Sequence, residues 1–146
     1  MLSLVVAKDI VVDTSVVVSA LIGKRGASRE VLRQCLMGEY RPLISTTLFH
    51  EYEAVSSRQA IRRATPLTER ELRDLMEALY AVCRWVPIYY LWRPNLRDAD
   101  DNFLVELALA GNAQAIVTNN VKDFGQAELM FDQLRILTPS ALLRGQ

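Results

Sequence analysis

Asp13 closes the run Ile10-Val11-Val12-Asp13-Thr14-Ser15. Its β-branched residues predict a buried strand that ends in a carboxylate followed by two hydroxyls. In an open α/β sheet, ligands gather just past the carboxyl ends of the strands. A carboxylate at such a place needs a partner for its charge, and a bound cation is a natural one. Carboxylate oxygens suit hard cations better than zinc. The alternative is helix capping, since Asp and Thr both cap well, and Asp13 taken alone reads better that way. Further acids fall at the same rim. Glu51 lies three residues beyond Leu48 and one before Tyr52, beside the packed face of a helix. Asp98, Asp100 and Asp101 open the helix that carries Phe103, and Asp123 follows a strand ending at Thr118. Each has an ordinary explanation too: a solvated helix surface for Glu51, helix-start charge for the Asp cluster, turn chemistry for Asp123.

Alternating strands and helices must position these acids. The first strand, near 10–13, leads into Val16–Leu21 and a Gly23–Gly26 turn. Val31, Leu32, Cys35 and Leu36 share one helix face, and Gly38 stands where that helix should stop. Leu43-Ile44-Ser45 predicts a second strand, with Ser45 or Thr46 capping a helix that turns Leu48, Phe49, Tyr52 and Val55 inward. Thr68 and Glu71 form a capping box ahead of Leu72, Leu75, Met76, Leu79 and Cys83. Trp85–Ile88 predicts a third strand, which Pro87 confines to an edge or a strand end. Phe103, Leu104, Leu107 and Ala108 mark a helix that Gly111 stops. Ala115–Val117 and Leu134–Leu137 are the remaining strands, the last followed by a short helix opened by Thr138-Pro139-Ser140. The expected fold is α/β: a mainly parallel sheet covered on both faces.

At 146 residues and 51% hydrophobic content, the chain should form one domain with a proper core. No apolar run approaches the roughly 20 residues that cross a bilayer. Met1–Lys8 is a poor secretory leader, and Cys35 and Cys83 read as reduced core thiols, so a cytoplasmic protein is expected. With 17 basic and 17 acidic residues, the chain lacks the basic footprint of a tight, nonspecific nucleic-acid binder.

Four segments together resemble the PIN-domain nucleases, especially the prokaryotic VapC-like toxins of toxin–antitoxin systems. They are Ile10–Leu21; Glu51 after the second strand; Arg97-Asp98-Ala99-Asp100-Asp101-Asn102-Phe103-Leu104-Val105-Glu106-Leu107-Ala108; and Ala115-Ile116-Val117-Thr118-Asn119-Asn120-Val121-Lys122-Asp123-Phe124. Their order and spacing carry the resemblance, which extends over about 10–142. It implies a PIN-like three-layer α/β/α sandwich and one or two divalent cations, Mg²⁺ or Mn²⁺. By position the implied catalytic and metal-holding residues are Asp13, Glu51, Asp101 and Asp123. Asp101 is preferred to Asp100 because Ala108 then falls where such helices carry a small residue. Thr14, Ser15, Asp98, Asp100, Thr118 and Asn120 are supporting candidates. Asn120 departs from the pattern, standing where Asp is frequent, although Thr-x-Asn-x-x-Asp-Phe also occurs among these proteins. A bound cation there would activate water against a phosphodiester. The resemblance further implies an RNA substrate, an antitoxin partner and a homodimer. The run Tyr89-Tyr90-Leu91-Trp92 is an expected contact surface for that dimer.

Other chemistries fit less well. His50 is the single histidine, and no nucleophile turn accompanies it, which disfavours a Ser-His-Asp hydrolase. Two distant cysteines cannot build a zinc site, and Gly23-Lys24 lacks the Ser or Thr of a P-loop. A metal-dependent phosphatase on a related α/β scaffold is the second enzymatic reading, although its haloacid-dehalogenase type wants Asp where Ser15 stands. A PIN-like module kept only for binding is the non-enzymatic alternative, supported by Asn120 and the zero net charge.

Overall fold

The computed structural model describes residues 7–23, 26–88 and 99–145, with the backbone alone at 99–102, 126, 129 and 130. Strand β1, Lys8–Val12, carries the unbroken apolar run Ile10-Val11-Val12, all of it buried. A strand buried on both faces belongs in the middle of a parallel sheet, and β1 is the middle strand. The other strands are β2 (Tyr40–Ile44), β3 (Arg84–Trp85), β4 (Ala115–Val117) and β5 (Arg135–Leu137), in the all-parallel order β3-β2-β1-β4-β5. From β1 the chain first builds outward through β2 and β3. It then crosses back to lay β4 and β5 on the other side, so the winding reverses between β1 and β4. With helices on both faces, this is the expected three-layer α/β/α sandwich.

Local signals explain most of the helices. Helices α1 (Thr14–Ile22) and α2 (Ala27–Leu36) follow β1, and α2 buries Val31, Leu32 and Cys35. Gly38 ends α2 with φ at 87°, while Glu39 N donates to Gln34 O at 2.9 Å and Gly38 N to Cys35 O at 3.1 Å. A left-handed residue is needed for that paired closure, and glycine adopts it without strain. Ser45, not Thr46, caps α3 (Thr46–Ser57), accepting from Leu48 N at 3.2 Å. A short α4 (Gln59–Ala64) follows, and the Thr68–Glu71 capping box opens α5 (Glu69–Val82) as expected. Helix α6 spans Ala99–Ala110, a 3₁₀ turn Val121–Phe124 leads into α7 (Gly125–Met130), and Thr138 caps α8 (Pro139–Arg144).

One expectation needs correction, and another holds in place but not in cause. The third strand is Arg84–Trp85 rather than Trp85–Ile88. Val86 N still donates to Ile44 O at 2.9 Å, but Pro87 has no N–H with which to continue the ladder. Gly111 follows α6 but is not its left-handed stop. Asn112 holds that conformation, at φ 56°, with Ala113 N on Ala108 O at 2.8 Å and Asn112 N on Leu109 O at 3.3 Å. Gly111 is there for space, since a Cβ would come within 2.5 Å of Leu43 Cδ1 and 3.1 Å of Val86 Cγ2. No helix among the described residues is long and apolar enough to cross a membrane.

Candidate functional site

The reversal of winding between β1 and β4 places Asp13 and Thr118 side by side at the carboxyl ends of the two strands. In open α/β sheets this switch point is where ligands bind. Asp13 N donates to Val117 O at 2.9 Å, so the pairing of the strands extends into the site. Asp13 occupies the N-cap position of α1, yet its carboxylate makes no capping bond to the helix. Instead it gathers hydroxyls. Oδ2 accepts from Thr118 Oγ1 at 2.7 Å and from Ser15 Oγ at 2.9 Å, and Oδ1 accepts from Thr14 Oγ1 at 3.3 Å. The Asp13 residue is only 7% exposed, and among the described residues no Lys or Arg is ion-paired with it.

The hydroxyls are themselves held. Thr118 is fully buried, and its Oγ1 accepts from Asn120 N at 2.9 Å. Ser15 Oγ accepts from Asn119 N at 3.1 Å, while Asn119 Nδ2 donates to Ser15 O at 3.2 Å. With backbone N–H groups feeding their lone pairs, both hydroxyls turn their protons toward Asp13. Chains of hydrogen bonds of this kind strengthen one another where water is excluded. Thr14, Ser15 and Thr118 thus all bond to the acid, while the Thr118–Asn120 bond also serves the turn after β4.

A phenol fixes the strand end from the other side. Register pairs between β1 and β2 end at Ile10↔Pro42, and beyond them Tyr52 Oη donates to the Val12 carbonyl. Burial, more than the neighbouring thiols and the Asp13 charge, raises the Tyr52 phenol well above its ordinary pKa, so it remains a donor. Tyr52 thus ties α3, and Glu51 beside it, to the backbone immediately before Asp13. Tyr52 was legible in the sequence only as core packing; its place next to Glu51 was the available signal.

The remaining acids are differently placed. Glu51 is half-buried on α3, and Asp123 is exposed in the 3₁₀ turn that Phe124 anchors in the core. Asp123 N donates to Asn120 O at 3.0 Å. Asp100 and Asp101 lie in the first turn of α6, which packs against β1 and β4, and their side chains fall outside the described residues, as does Asp98 altogether. Among the described residues no three acidic, histidine or cysteine side chains come together closely enough to hold an ion. The donors around Asp13 are all oxygen: a buried carboxylate, its hydroxyls and nearby amides. That chemistry fits a hard divalent cation, with Asp13 as the charge that would meet it. His50 is exposed and packs edge-on against Phe49. Burial pushes the Cys35 and Cys83 thiols up to about 12, which leaves them inert as nucleophiles at neutral pH.

No curated protein matches the chain. A family model described as PIN domain matches residues 9–122. The match takes in Asp13, Glu51, Asp98, Asp100, Asp101 and Asn120 and ends one residue before Asp123. Because it covers most of the sequence, the chain belongs to the PIN domain family.

Proposed function

We propose that the protein is an endoribonuclease that uses Mg²⁺ or Mn²⁺ to hydrolyse RNA phosphodiester bonds, and that it is the toxin of a toxin–antitoxin pair. PIN domains are of nuclease type and generally depend on a divalent metal. The observation that supports the reading best is the Asp13 carboxylate, buried at the switch point, turned away from its capping role and aimed by three hydroxyls. Asp13, Glu51, Asp101 and Asp123 would hold the cation, with Asp98, Asp100 and Asn120 beside them. When bound, the cation supplies an activated water and neutralises charge on the phosphodiester. The chain supplies the rest. Ser15 and Thr118 keep the Asp13 oxygens in one orientation, Tyr52 fixes the backbone before Asp13, and the Asn119–Ser15 bonds hold the 118–120 loop against the start of α1.

Asp13→Asn and Asp101→Asn test the assignment, since each removes one charge from a site whose work is electrostatic. Each variant should lose about 10²–10³-fold or more in Mn²⁺-dependent RNA cleavage while keeping its fold. A pure, folded variant with wild-type turnover would refute that residue's role. Loss of Mn²⁺ binding, followed by calorimetry, should accompany the loss of cleavage. The antitoxin is proposed to cover the acidic rim, and a homodimer to set two such rims along one RNA. The dimer-contact run Tyr89–Trp92 lies outside the described residues, so self-association rests on light scattering. A mass that stays near 16.5 kDa at all concentrations would exclude a stable dimer.

A further inference from the structure

Trp85 is 49% exposed, although it stands at the carboxyl end of β3 on the same rim as Asp13. Its ring is nevertheless braced. Phe49, in the first turn of α3, lies 5.6 Å from the indole and 4.9 Å edge-on from Tyr80. Tyr80 in turn donates to Glu53, and the Arg73 guanidinium sits 5.9 Å over its ring. His50 completes the cluster at 5.6 Å from Phe49. An exposed tryptophan held by its neighbours has little freedom left to lose when something stacks on it.

The sheet register measures how far the Trp85 backbone lies from the candidate site. Trp85 pairs with Ile44, and extending the β1–β2 register two residues past Ile10↔Pro42 sets Val12 level with Ile44. Trp85 is then two strands from the residue that precedes Asp13, a lateral separation of about 10 Å. A nucleotide neighbouring a phosphate at Asp13 can span that gap. Resting on the nuclease reading above, we infer that Trp85, backed by Phe49 with Tyr80 and His50 behind it, is a stacking platform for an unpaired base near the scissile phosphate. Bases paired in a helix keep their faces covered, whereas unpaired bases stack readily on aromatic side chains. Stacking also supplies binding without a basic surface, which suits a chain of zero net charge.

The chain has two tryptophans, so a Trp92→Phe variant leaves Trp85 as the sole indole reporter. In EDTA, where no cleavage occurs, a short oligoadenylate should quench its fluorescence saturably, and a duplex RNA of equal length should quench it far less. With Mn²⁺, Trp85→Ala should raise KM about 5- to 100-fold with kcat nearly unchanged, and Trp85→Phe should recover part of that loss. Absence of quenching together with an unaltered KM would overturn the platform. So would a dimer that dissociates in Trp85→Ala while KM stays at the wild-type value, because the indole would then serve a second copy of the chain. If the wild-type protein cleaves no RNA with Mn²⁺, the nuclease reading fails, and quenching in EDTA still decides whether Trp85 stacks a base.

Discussion

Replacing Thr118 by Val tests whether the buried hydroxyls serve the Asp13 charge. The side chain is fully buried, and Val matches its shape, so packing is conserved while the hydrogen bonds to Asp13 and Asn120 and a long 3.5 Å contact with Ser15 Oγ are lost. The bond to Asp13 Oδ2 involves a charged acceptor and contributes about 1.5–3 kcal/mol. Asn120 is exposed, so water can replace Thr118 as the partner of its N–H and that loss stays below about 1 kcal/mol. Thr118→Val should therefore lower unfolding stability by about 1.5–4 kcal/mol. Thr118→Ser keeps both bonds and loses only a buried methyl, for about 1 kcal/mol. Urea denaturation of the two variants, with unchanged m-values, gives the comparison. The cycle with Asp13→Asn sharpens it: against a neutral amide the Thr118→Val loss should shrink by about 1 kcal/mol or more. If Val and Ser variants were equally stable, or if the loss were the same with Asn at position 13, the hydroxyl would not be serving the carboxylate.

Asp9 gives a pH signature. Burial alone would raise its carboxyl, but Arg41 at 2.6 Å and Arg84 at 3.2 Å outweigh burial and hold it below the usual range. Its contribution is therefore present above the unfolded value near 4 and lost as pH falls through the lower folded value. Asp9→Asn should be about 1–2 kcal/mol less stable at pH 7, with the gap to wild type closing below about pH 4; a constant gap from pH 7 to 3 would contradict this. Gly111→Ala should destabilise by about 1–3 kcal/mol, because its Cβ meets Leu43 at 2.5 Å, and Leu43→Val in the same chain should relieve part of it. Thermal melts of the single and double variants decide that point. Tyr52→Phe should cost about 1–3 kcal/mol by leaving the buried Val12 carbonyl unpartnered. It should also weaken Mn²⁺ binding, and a variant of wild-type stability would remove Tyr52 from the support of Asp13.

Much of the framework was legible because its signals are local. Buried β-branched runs at Ile10–Val12 and Ala115–Val117, the Thr68–Glu71 box and Gly38 each act over a few residues, and each appears in its expected role. The rest depended on contacts distant in sequence. The α3–α4 break at Arg58 has neither Gly nor Pro to announce it. It accompanies a Ser56 hydroxyl bonded back to Glu53 O at 3.3 Å and the tie from Thr65 Oγ1 to Leu21 O at 2.6 Å. Gly111 read as a helix stop because glycine usually stops helices. Its real constraint is the approach of Leu43 and Val86, which no spacing within α6 encodes.

The site shows the same division, and Asp13 shows where it falls. Asp13 taken alone read better as a cap and the resemblance implied a metal site, because both readings want Asp at a strand-to-helix junction. The choice lies in what the side chain bonds to. A capping carboxylate turns toward the first free N–H groups of its helix; Asp13 turns from them toward Thr118, which lies 105 residues away in sequence and one strand away in space. Burial of a carboxylate without a cap bond and without an ion pair among the described residues is unfavourable unless something else meets its charge. Three hydroxyls meet part of it, as neutral donors. A cation would meet the remainder, and the turn of Asp13 from its helix toward Thr118 is the observation that supports proposing an ion there.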